Sequence, residues 1–257
     1  MERQMRSSRF PVLDLINPRE QTLALVVMLL IGLVLAAVQI VWAGWPLWAA
    51  TVMVLCLLLI PAVLKWRADA RRFGALVMVL SVLLAAQGFH TLEHFAQWTE
   101  YHILNWPASQ SSGFVSPANS EWIHFVWNWT VVLVLVYLIA KGFRNPFVWL
   151  LLVWSVAHSL EHTYLMARYL QMLRELQALG VKSVSAQGLA GILGADGWLA
   201  RSAFTQGTLF CNLPGFTTAP RLDVHFWWNA GEITLLLLAA HTFLRGRFSA
   251  REPLTLR

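Results

Sequence analysis

Apolar positions along the chain gather into six long runs, about 22–42, 46–65, 73–97, 122–141, 147–168 and 224–244, separated by polar or charged stretches. A hydrocarbon core of ~30 Å needs roughly 20 mostly apolar helical residues, so each run predicts one membrane-spanning helix. Local signals mark the ends. Asn17-Pro18-Arg19-Glu20 reads as a cap, a first-turn proline and a capping-box glutamate. Gly44-Trp45-Pro46 predicts a tight turn between the first two spans, and Asn145-Pro146 opens the fifth. Residues Arg168 to Leu176 keep a helical pattern, so the fifth helix is expected to continue beyond the bilayer. A long segment, 169–223, follows. In it Gly188 to Trp198 is glycine-rich and weakly amphipathic, and Leu213-Pro214-Gly215 signals a turn.

Composition agrees with the pattern. With 58% apolar and 12% charged residues, the chain reads as an all-α integral membrane protein and not as a soluble domain. Its formal charge of +6 does not point to nucleic acid, because the basic residues sit in clusters beside the spans. Fourteen of the 19 Lys and Arg fall in the two termini and the short connections 65–72 and 141–144; of the other five, Arg168 stands at the edge of the long segment and four lie within it. Short loops dominate the positive-inside rule, so both termini are expected in the cytoplasm of a bacterial-type inner membrane. Cys56 and Cys211 form no CxxC pair and suggest no disulfide framework.

Two motifs each occur twice, in alternation. His90-Thr91-Leu92-Glu93-His94 and His158-Ser159-Leu160-Glu161-His162 are both H-x-x-E-H; His124-Phe125-Val126-Trp127-Asn128 and His225-Phe226-Trp227-Trp228-Asn229 are both H-F-x-W-N. The separation of the two motifs is 34 residues in the first copy and 67 in the second. This predicts an internal duplication: 1–72 as an N-terminal segment with a two-helix scaffold, 73–144 and 145–248 as two repeats, and 249–257 as a cytoplasmic tail. Spans three to six would then form a pseudo-twofold four-helix bundle, with 169–223 as an insertion that acts as a lid or a docking surface. All four motifs are expected at one depth, toward the periplasm or exterior.

Positions i, i+3 and i+4 of a helix lie close together, so the histidines and glutamate of each H-x-x-E-H can approach one centre. The expected metal ligands are His90, Glu93, His94 and His124, and His158, Glu161, His162 and His225. Imidazole and carboxylate suit Fe, Cu or Zn, and two ligand sets predict two divalent ions. Three histidines per ion make a dicopper set, whereas the two glutamates favour iron. Asn128 and Asn229, one turn after the third histidines, are expected to hold ligand rings or face substrate. The H-x-x-E-H pentapeptide is similar to the inverzincin pattern, which implies a His pair on zinc with glutamate as general base; in that role Glu93 and Glu161 are catalytic. A His–Glu hydrogen-bond network without metal is the alternative for these residues. Glu232 and Gln87 are expected to line the same cavity, Glu100 to be a solvated loop residue, and His102 and His241 to be interfacial or helix-contact residues.

These features predict a metal-dependent oxidoreductase of the oxygenase or hydroxylase type, acting on an apolar or lipid-like small molecule. A membrane zinc hydrolase, a haem electron-transfer protein and a non-catalytic metal-handling or assembly subunit are the alternatives. The expected partners are the bilayer, that substrate and, as an option, a membrane-protein partner or a second copy of the chain.

Overall fold

The structure, a computed structural model, describes residues 9–180 and 189–249, the side chains of 118, 119 and 249 excepted. Arg3, Arg6, Lys182, Gly188, Arg251 and Arg257 lie outside the described residues. Helices make up the fold, with no strand among the described residues: α1 Pro11–Ile16, α2 Thr22–Ala43, α3 Leu47–Phe73, α4 Ala75–His102, α5 Glu121–Ala140, α6 Pro146–Gln177, α7 Trp198–Arg201 and α8 Arg221–Ser249. Four stretches are long and apolar enough to cross a membrane: Arg19–Ala43, Leu47–Phe73, Ala75–His102 and Glu121–Ala140. The remaining two predicted spans, 147–168 and 224–244, are helical within α6 and α8 but less apolar. In α6 the run after Pro146 meets His158, Glu161 and His162, and in α8 it is confined between Glu232 and Arg245. The motif residues themselves dilute these helices.

The chain divides into two compact units, one of residues 1–89, 134–152 and 233–257, the other of 90–133 and 153–232. In the first, α2 and α3 pack against each other, with Gly32 of α2 facing Val54 and Leu57 of α3. The predicted turn between them is present, with Gly44 left-handed (φ +66°) at the end of α2. Helix α3 runs on to Phe73, through residues read from sequence as a basic connection. Nothing in Lys65-Trp66-Arg67-Ala68-Asp69 breaks a helix, and Lys65 pairs with Asp69 one turn on at 2.5 Å.

Asp69 is fully buried and also takes Arg19 at 2.8 Å, while Lys65 donates to Ser81 Oγ at 2.9 Å. The start of α2 is therefore tied to α3 by a buried ion triad. Asn17, expected as an N-cap, instead ends α1 and closes a local turn, its Oδ1 accepting from Arg19 N at 2.8 Å, while Gln21 stands at the N-cap of α2. Glu20 instead pairs with Arg72 at 2.6 Å. Asn145 opens α6, its Oδ1 accepting from Val148 N at 3.1 Å. The core of this unit is apolar, with Leu80, Leu135, Leu138, Phe143, Leu236 and Leu244 fully buried.

In the second unit the long segment is not structureless. Gly194 N donates to Phe216 O, Ala195 N to Ala219 O, Trp198 N to Gly191 O and Leu199 N to Ile192 O. These bonds satisfy backbone groups that would otherwise need water, and they hold 189–220 as a folded strap. The fifth helix does continue past 168, to Gln177.

Candidate metal centre

All six motif histidines lie in the second unit and form one contiguous cluster of rings. His90 sits 4.7 Å from His94 and 5.5 Å from His124 between ring centroids. His158 is 5.1 Å from His162, which is 4.9 Å from His225. The two sets meet through His94 and His225 at 5.6 Å and through His124 and His162, stacked at 5.0 Å.

In four of the six rings Nδ1 faces a group that accepts. His94 Nδ1 faces Gln97 Oε1 at 3.0 Å, and His124 Nδ1 faces the Ser120 carbonyl at 3.2 Å. His158 Nδ1 faces Glu232 at 3.3 Å, and His162 Nδ1 faces Glu121 at 3.4 Å. A proton on Nδ1 leaves Nε2 with a free lone pair. The Nε2 atoms of His90, His94, His158, His162 and His225 are buried with no hydrogen-bond partner. Buried polar atoms are nearly always paired, so five orphans of the same atom type in one cluster call for a common partner.

His90, His94 and His124 come closest to a binding geometry: their ligand atoms lie within 4.8 Å of one another and could hold one metal ion. Among the described residues no second group of three is as tight. In the other set His158 stacks on Trp228, 5.3 Å away with rings 5° from parallel.

The two glutamates of the H-x-x-E-H motifs take a different position. Glu93, 4% exposed, accepts from Val115 N at 2.8 Å and Phe114 N at 3.0 Å. Glu161, 2% exposed, accepts from Ile192 N at 3.1 Å and Leu193 N at 3.2 Å. Helix geometry explains this. At ~100° per residue the glutamate lies about 80° round the helix from the midline of its histidine pair. It can therefore reach a neighbouring loop while the histidines face inward.

A glycine precedes each donor pair. A Cβ on Gly113 would fall 2.6 Å from Glu93 Oε1, at a backbone φ of +67°, and one on Gly191 would overlap Glu161 Oε1. The shared Gly-apolar-apolar sequence, Gly113-Phe114-Val115 and Gly191-Ile192-Leu193, is the signal that could have revealed this latch in advance. Glu100, expected as a solvated loop residue, belongs to α4 and accepts from Gly113 N at 2.9 Å.

Asn128 and Asn229 repeat one contact. Each donates Nδ2 to the carbonyl of its own motif histidine, His124 or His225, at 2.9 Å. They brace the first turns of α5 and α8, and Asn128 Oδ1 remains buried without a partner.

Two carboxylates that carry no motif complete the surroundings. Glu121, fully buried, holds Arg221 as well as His162. Glu232 accepts from Ser155 Oγ as well as facing His158. The sequence places Glu232 near the site, but nothing local singles out Glu121, which is 41 residues from its histidine.

No protein family, curated protein or solved structure matches the chain.

Proposed function

We propose that this chain is a six-span integral-membrane metalloprotein, an oxidoreductase whose metal centre is built from imidazoles on α4, α5, α6 and α8. The observation that carries the reading is the set of buried Nε2 atoms without partners, backed by acceptors on Nδ1. Outer partners of this kind fix the tautomer and orient the ring in metal sites. His90, His94 and His124 would hold the first ion, and His158, His162 and His225 a second, as duplicated halves of a four-helix bundle. The charge asymmetry of the loops supports cytoplasmic termini in an inner membrane, with the centre toward the exterior.

Copper suits this donor set best. Imidazole alone serves copper or zinc, while iron in such bundles draws on carboxylates, and Glu93 and Glu161 already accept from loop N–H groups. The same engagement weakens the zinc-hydrolase reading, which needs a glutamate free to take a proton from water. Haem is disfavoured because rings in mutual contact leave no slot for a macrocycle.

The test is elemental analysis with an optical spectrum on untagged protein purified from copper-replete cells. Copper near two ions per chain is expected, lost in His90→Ala/His158→Ala, with His94→Ala and His162→Ala losing similar amounts. Folded protein free of metal would overturn the proposal.

A further inference from the structure

The second unit contains a cavity of about 430 Å³, within the size range of small-molecule sites. Its walls include Trp154, Phe216, Trp227 and Trp228, together with Val224 from the first turn of α8. Trp228 has two neighbours that matter: its ring lies parallel to His158, and its carbonyl accepts from Trp154 Nε1 at 2.9 Å. The cavity thus stands one aromatic ring away from a histidine of the cluster. Gly231 permits this arrangement, since a Cβ there would overlap the Trp154 ring.

The lining also selects among apolar molecules. Aromatic faces prefer rings, each good ring pair adding roughly two- to tenfold in affinity over burial alone. A flexible acyl chain gains only the burial. Among the described residues Asp223 is the sole charged one on the wall, and one of its oxygens, Oδ1, is 2.5 Å from His102 Nε2. A carboxylate has acceptor capacity for more than one donor. It favours a ligand that donates a hydrogen bond and repels one that carries a negative charge.

We infer that this cavity binds an uncharged aromatic compound bearing a hydroxyl group, of the phenol or hydroquinone class. The ring lies among the tryptophans and the hydroxyl donates to Asp223. That such a compound is the substrate rests on the metal-centre reading above; that it binds does not.

The experiment uses the full chain in lipid nanodiscs, with 1-naphthol as probe and naphthalene and decanoate as comparators. Binding is measured by equilibrium dialysis against empty nanodiscs, and metal content is determined on the same samples. Saturable binding of 1-naphthol is expected, tighter than naphthalene and not displaced by decanoate. Trp227→Ala should weaken it by roughly tenfold, and Asp223→Leu should abolish the preference over naphthalene. Trp227 and Phe216 are largely exposed, so Trp227→Ala and Phe216→Ala probe the cavity without emptying a core. Displacement by decanoate, or wild-type binding in both of these variants, would overturn the inference. Metal without 1-naphthol binding removes the cavity site and leaves the centre standing; binding without metal does the reverse.

Discussion

Glu161→Ala separates a carboxylate that holds a loop from one that holds a metal. In the wild type its two oxygens take the N–H groups of Ile192 and Leu193 at 3.1–3.2 Å, and the side chain is 2% exposed. Hydrogen bonds to a charged group contribute about 1.5–3 kcal/mol each, so losing both costs the strap about 3–6 kcal/mol. Amide exchange reads local opening directly. At one decade per ~1.4 kcal/mol, exchange at Ile192 and Leu193 should accelerate by roughly 10²- to 10⁴-fold, limited by the strap's own opening free energy. Metal content should stay near wild type, because no imidazole is removed. Hydrogen–deuterium exchange by mass spectrometry, run beside elemental analysis, provides both readouts. Stoichiometric loss of metal with unchanged exchange across 189–199 would refute the latch and return Glu161 to the ligand set.

Two further outcomes follow from buried charges. Arg221→Met strips Glu121 of its cation while leaving the carboxylate fully buried; the expected loss is about 3–5 kcal/mol, seen as a lower thermal midpoint, with recovery in Arg221→Met/Glu121→Leu. A double variant no more stable than the single would show that the pair is not the cause. Asp69→Asn should cost a similar ~3–5 kcal/mol by leaving Lys65 and Arg19 without their shared carboxylate, and it should leave metal content unchanged; unaltered melting would refute the role assigned to this triad.

Much of this architecture is legible in the sequence because its signals are local. Apolar runs of sufficient length announced α2, α4 and α5, Asn145-Pro146 marked the start of α6, and the repeated motifs singled out all six clustered histidines. What escaped was set by distant partners or by competing meanings of one residue type. Lys65 to Arg72 reads as a connection because charge usually ends a span, yet Asp69 holds Lys65 inward and the helix continues through the exposed Arg67, Arg71 and Arg72. Glu121 reads as a first-turn acid, favourable at any helix N-terminus, and only tertiary contact reveals Arg221 and His162 as its partners. Glu93 and Glu161 share a motif with the clustered histidines, but the N–H groups that their carboxylates accept lie 21 and 31 residues away in the chain. Only the shared Gly-apolar-apolar sequence of the two loops points to the link.

The latch has a consequence for how such a protein can diversify. Each of the two loops is gripped by its peptide N–H groups, and these bonds involve no loop side chain. Apart from Gly113 and Gly191, whose bare Cα atoms make room for the carboxylates, the side chains of the gripped residues are free to be exchanged without loosening the grip. Phe114, Ile192 and their neighbours can be rewritten to suit a new ligand while the histidines beneath stay untouched. The loop surface and the histidine cluster would then be separately heritable parts of one small protein.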